Sequence, residues 1–128
     1  MVAVADPYNA LTKMLFADPT HAGELQNDHA RSASADASES AAGAKIALAA
    51  GINDGKLQEF RFRVFGCPHL IAAAEWLCKE YEGRPLANLA DFRAADCMGP
   101  LAIPVEKTGR ILLLEDAIRL LLEPLAAD

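Results

Sequence analysis

The sequence predicts an α+β domain, a small antiparallel β-sheet with helices packed on one face. Three observations lead there. Alternating apolar positions fill the middle of the chain, from Ile46 to Val64. Helical apolar spacing fills both ends. The 128 residues carry no internal repeat and form a single domain long enough to bury a core.

In chain order, Asp6-Pro7 reads as a helix start, with Asp as N-cap and Pro at the first helical position. Tyr8, Leu11 and Leu15 follow at helical spacing, and Asp18-Pro19 ends the run. Segment 26–42 is rich in Ser, Ala and Asp, shows no apolar period and reads as a mobile polar loop. Ile46, Leu48, Ala50 and Ile52 then alternate with smaller or polar residues, as a half-buried strand does. Asn53-Asp54-Gly55 supplies turn chemistry. Phe60, Phe62 and Val64 alternate with Arg61 and Arg63, completing a hairpin that runs into Gly66-Cys67. Pro68 opens a helix whose stripe is Leu70, Ile71, Ala74, Leu77, Cys78 and Tyr81, with Gly83 placed to cap it. Short helical turns anchored by Leu86, Leu89 and Phe92 fill the stretch from Pro85 to Pro104. A leucine-dense, largely buried helix covers roughly Arg110 to Leu122.

Composition narrows the function. A formal net charge of -6 leaves no basic stripe for phosphates, so nucleic acid is not an expected partner. The same charge is wrong for anionic membranes and suits a soluble protein that meets a basic partner surface. The longest apolar stretch, Ile111 to Leu114, is far too short to span a bilayer. Met1 to Asp6 lacks the basic and apolar blocks of a signal peptide. Three widely spaced cysteines, Cys67, Cys78 and Cys97, make a poor disulfide framework and imply a reducing, cytoplasmic setting. No phosphate loop, paired catalytic carboxylates or Ser/His/Asp order appears, so no independent enzyme activity is expected.

The chemistry centres on Cys67. It sits where an apolar strand ends and a helix begins with Pro68, beside unpaired backbone N–H groups and the positive end of the helix dipole. That setting favours a thiolate. Gly66 before it allows a sharp turn. His69, two residues on, is a candidate metal ligand or base beside Cys67. Cys78 falls on the helix stripe and reads as core. Cys97 is a replacement ligand only if the fold brings it near Cys67. His21 orders the chain as it enters the first strand, and His29, in the polar loop, has no specific role. Arg61 and Arg63 mark either a partner surface or an exposed sheet face.

Four fragments in order resemble the NifU/IscU-type iron–sulfur cluster assembly scaffolds. They are Tyr8 with Phe16-Ala17-Asp18-Pro19 and His21-Ala22-Gly23-Glu24-Leu25, then Phe62-Arg63-Val64-Phe65-Gly66-Cys67, then Glu82-Gly83-Arg84-Pro85-Leu86, and finally Glu115-Asp116-Ala117-Ile118. The resemblance covers nearly the whole chain and implies a SufE/NifU-like, IscU-like fold. Family scaffolds hold a nascent cluster or zinc with three cysteines, an aspartate and often a histidine. Where the family carries Cys-Gly-Asp this chain has Ala42-Gly43-Ala44, and where it carries Lys-x-His-Cys this chain has Lys107-Thr108-Gly109-Arg110. Of that ligand set only Cys67 remains. An iron–sulfur cluster takes about four thiolate-class ligands and zinc four donors, so the resemblance implies at most weak cluster, iron or zinc binding.

The resemblance further implies a cysteine desulfurase as partner. The implied chemistry is sulfur acceptance on Cys67, with Arg110 steadying the anionic sulfur. An Hsp70-type chaperone is implied through a Leu-Pro-Pro-Val-Lys motif, present only in the degraded form Ile103-Pro104-Val105-Glu106-Lys107. SufE-type sulfur carriers share the fold and work with one cysteine, which is the alternative reading. A ligand-depleted paralogue acting only as an interaction module is a third. Monomer and homodimer both remain open.

Overall fold

Residues 8–41 and 43–126 are described by a computed structural model. The elements run α1 (Ala10–Ala17), β1 (Arg31–Glu39), β2 (Ala44–Asn53), β3 (Lys56–Phe65), α2 (Pro68–Tyr81), α3 (Ala94–Met98) and α4 (Thr108–Ala126). Turns of 3-10 helix occupy Leu86–Asp91 and Val105–Lys107. The three strands form an antiparallel meander in the order β1-β2-β3. α4 lies against β1 and β2, and α2 against β3 and α1. The predicted fold class is the observed one.

The hairpin forms as its turn residues dictate. Asp54 and Gly55 take φ of 52° and 74°, the primed-turn geometry whose twist matches paired strands and which glycine adopts at no steric cost. Opposite them the register slips from Gly51↔Glu59 to Ile52↔Leu57. Gln58 is thereby left over as a bulge, which turns Leu57 to the same face as Phe60 and Phe62. All three are buried, with Ile46, Leu48 and Ile52 of β2 and Ile111, Leu114, Ile118 and Leu121 of α4.

Segment 26–42 is not a structureless loop, because Arg31–Glu39 pairs along its whole length with β2, from Arg31↔Ile52 to Glu39↔Ala44. The inward residues are Ala33, Ala35 and Ala37, opposite Ala50, Leu48 and Ile46. A buried methyl contributes about 0.8 kcal/mol and a buried leucine roughly 1.5–3 kcal/mol. Three alanines together therefore match about one leucine, and the period-two signal is correspondingly faint in sequence. Their small size also lets α4 lie close over this strand.

The helix start read at Asp6-Pro7 lies outside the described residues, among which the first helix begins at Ala10. Asn9 is its N-cap, and Asn9 Oδ1 accepts from Thr12 N at 2.8 Å. Thr12, fully buried, donates its hydroxyl to Leu101 O at 2.7 Å and ties α1 to the segment after α3. The last helix begins two residues before Arg110 and runs beyond Leu122, with Pro124 inside its final turn.

Two histidines fasten the chain that enters β1. His21 bridges Glu75 of α2 (2.5 Å) and Glu82 (3.1 Å) through its two ring nitrogens. Its carbonyl accepts from Phe62 N at 3.1 Å, so the segment runs along the edge of β3. His29 corrects the reading that it has no role. Its Nε2 donates to Glu59 at 2.8 Å, Asn53 Nδ2 donates to its Nδ1 at 2.9 Å, and its side chain is 3% exposed. The ring covers Gly51, where a Cβ would stand 2.1 Å from it. Arg61 donates to Glu59 at 2.9 Å and to Thr20 O at 3.0 Å, while Arg63 pairs with Glu24. These arginines hold the covering segment to the outer face of the sheet.

Candidate functional site

Three connections meet at one end of the sheet: the β1–β2 turn, the β3–α2 junction and the start of α4. The register sets Glu39 beside Ala44 and Lys45 beside Phe65. A Cβ at Gly66 would lie 3.8 Å from that of Ala44, and one at Gly109 would lie 3.6 Å from Glu39 Oε2. A Cβ at Gly66 would also come 3.1 Å from Leu70 Cδ2, a tight contact with the end of that side chain. Gly66 is not among the glycines with positive φ.

Cys67 is the N-cap residue of α2, with φ −80° and ψ 162°. Its carbonyl starts the helix by accepting from Leu70 N (3.0 Å) and Ile71 N (3.2 Å). Its side chain makes no capping hydrogen bond and is partly exposed at the positive end of a 14-residue helix. The other two thiols are buried. Burial pushes the Cys78 thiol well up, and the Glu75 and Glu82 carboxylates push the same way. Burial pushes Cys97 up to about 12, and its thiol donates to Ala94 O at 3.4 Å. A thiol held protonated in the core is a poor nucleophile and ligand. Cys97 is fully buried with its thiol turned to the Ala94 carbonyl, and Cys78 packs in the core as its place on the helix stripe predicts.

His69 is withdrawn into the fold. It is 1% exposed, and its ring lies against that of Tyr8, with centroids 4.7 Å apart. Arg110 sits half-buried in the first turn of α4 and makes no hydrogen bond or ion pair among the described residues. Ala44 is buried at the start of β2, and Ala42 lies outside the described residues. Among the described residues no three His, Cys, Asp or Glu side chains stand close enough to hold a metal ion. Ala44 and Gly109 offer no donor and Arg110 is a cation, so this end of the sheet does not fit a cluster or zinc.

One residue of this end escaped the sequence reading. Phe65 is 77% exposed, immediately before Gly66-Cys67. Strand parity carries the signal. Phe60, Phe62 and Val64 face inward, so Phe65 shares the outward parity of Arg61 and Arg63. Val105 in the segment before α4 is also exposed, at 82%. No helix among the described residues is long and apolar enough to cross a membrane.

An antiparallel meander under helices, with one reachable cysteine where β3 passes into α2, defines an IscU-like scaffold fold. Residues 8–123 match the NifU-like N terminal domain model, so the chain belongs to the NifU/IscU-type family of iron–sulfur cluster assembly scaffolds. The iron-sulfur cluster assembly scaffold protein IscU of Escherichia coli is 26% identical over 105 residues, spanning 81% of this chain and 82% of that protein. The mitochondrial iron sulfur cluster assembly protein 1 of Kluyveromyces lactis is 24% identical over 106 residues, and the match spans only 59% of its length. Among solved structures, a NifU-like N-terminal protein from Brucella abortus superposes with a TM-score of 0.70 at 16% identity, covering 94% of each chain. A putative SUF-system scaffold from Fervidobacterium islandicum gives 0.60 at 15% identity, covering 93% of this chain and 85% of its own. At these identities the structural likeness is one of fold.

Proposed function

We propose that this chain is a divergent member of its family that accepts sulfur on Cys67 from a cysteine desulfurase. One observation carries the reading. Cys67 is the single thiol of the three that is not buried, and it stands where α2 opens toward solvent. The Cys67 thiolate attacks the outer sulfur of the desulfurase's cysteine persulfide. The S–S bond there breaks, the desulfurase thiolate leaves, and the sulfur remains on Cys67 as a persulfide. Arg110, at the same end of the sheet, supplies positive charge to an anionic persulfide. Phe65 supplies an apolar contact for the donor. The chain acts stoichiometrically as a carrier in a reducing cytoplasm, not as an enzyme, and any cluster is built with groups from elsewhere.

The test incubates the protein with a cysteine desulfurase and cysteine, then maps thiols by mass spectrometry. A gain of one sulfur on Cys67, absent in Cys67→Ala, is expected, with Arg110→Ala lowering the yield severalfold. Desulfurase turnover without sulfur on Cys67 refutes sulfur acceptance. Retained desulfurase binding in that case leaves only the interaction module.

A further inference from the structure

The two edges of the sheet are treated differently. On β3 the edge groups are taken up from outside the sheet. Gly23 N donates to Phe62 O at 2.9 Å and Phe62 N to His21 O at 3.1 Å. Leu57 N donates to Arg84 O at 2.9 Å, Gly83 N to Leu57 O at 2.7 Å, and Phe60 N to Glu82 Oε2 at 2.8 Å. On β1, among the described residues, no backbone hydrogen bond arrives from anywhere but β2. β1 is nine residues long, regular in register and free of proline, with six of its nine residues Ser or Ala and the other three the charged Arg31, Asp36 and Glu39. Natural edges are ordinarily shortened, bulged, charged or covered, because an open one pairs with another strand. Beside it an open cleft of about 430 Å³ runs between Arg31–Ser34 and the last turn of α4 at Pro124-Leu125.

From this we infer that β1 pairs antiparallel with β1 of a second copy of the chain, joining two sheets into one of six strands. The charges select the register. Centred on Ala35, Arg31 of each copy, which also donates to Leu125 O of its own chain at 2.8 Å, falls opposite Glu39 of the other, and Asp36 falls opposite Ser34. Centring on Asp36 sets two carboxylates face to face. Centring on Ser34 parts both Arg31–Glu39 pairs.

The helices agree with this pairing. Leu113, Ala117, Leu120 and Pro124 lie four, three and four residues apart, so they form one stripe of α4 on the side whose Pro124 lines the β1 cleft; Leu113 and Ala117 are buried within the single copy, which leaves Leu120 and Pro124 to meet a second one. Leu120 is 40% exposed in a single copy. Strands stand about 4.8 Å apart. Two α4 helices, each lying over β1 and β2, would then be roughly 9 Å apart, the separation of packed helices. The pairing covers Leu120 and the open edge together. It also places the two β3 strands at opposite margins, five spacings or about 24 Å apart. Each copy therefore keeps its own Cys67, and the two thiols do not share a ligand.

Sedimentation of the full chain up to about 100 µM is expected to show a reversible dimer. Ser34→Asp sets two like-charge pairs across the interface and weakens it about tenfold. Ser34→Lys tightens it by a similar factor, and Ser34→Asp with Asp36→Ser restores it. All of these residues are exposed on β1, so unchanged circular dichroism separates association from folding. In a Cys67→Ser background, Ala35→Cys cross-links on mild oxidation, because residue 35 meets its own copy at about 5 Å. Ser38→Cys does not, lying about 20 Å from its copy. A monomer at every concentration overturns the inference. So does a dimer indifferent to both charge variants, or one cross-linked by Ser38→Cys in preference to Ala35→Cys.

Discussion

Replacing Glu59 by Gln tests how the covering segment is held to the sheet. Glu59 is 4% exposed in the middle of the outer face. Burial works against its charged form. Hydrogen bonds from His29, Gln26 N, Arg61 and Asn27 N outweigh that and bring the carboxyl down from 4.5 to about 2. A carboxylate held below its unfolded value stabilises the fold above that value, and the contribution drains away as pH falls through the folded one. At about 1.4 kcal/mol per pH step, the interval amounts to about 3 kcal/mol, lost between about pH 4.5 and pH 2. Glu59→Gln is therefore expected to cost about 3 kcal/mol at pH 7 and almost nothing near pH 2. Urea unfolding of both proteins across that range measures the gap directly. A gap that stays constant from pH 7 down to pH 2 refutes the assignment of this stability to the charged form.

Two further outcomes follow from the packing. Gly51→Ala drives a Cβ into the His29 ring, 2.1 Å away, and costs on the order of 2 kcal/mol. The double variant with His29→Ala relieves that clash, so the two changes are expected to be strongly non-additive in thermal unfolding. In native protein, iodoacetamide labels Cys67 while Cys78 and Cys97 react only in denaturant, because burial holds both of those thiols protonated. Rapid labelling of either in the folded state contradicts the buried placement.

Much of the fold was legible because it is written in large side chains at local periods. Ile46 to Ile52, Phe60 to Val64 and the Pro68 helix announce themselves by alternation, by the Asp54-Gly55 turn and by a helix-opening proline. β1 was not legible, since its inward face is three methyl groups and its strand character comes from pairing with β2. Nor was the role of His29, whose partner Glu59 stands 30 residues further along the chain. His69 read as a neighbour of Cys67 by spacing alone, yet the packing of Tyr8 against its ring takes it into the fold.

By itself the sequence determined which donors exist. Ala44 and Gly109 lack any metal-binding atom, and Cys67 follows a strand and precedes a helix whatever the packing. Tertiary structure alone decided that Cys97 is buried, that His29 and His69 are withdrawn from solvent, and which edge of the sheet stays open. Residue identity and short-range periodicity are properties of a local stretch of chain. Burial and pairing depend on where segments tens of residues apart come to rest against one another, and no local pattern encodes that.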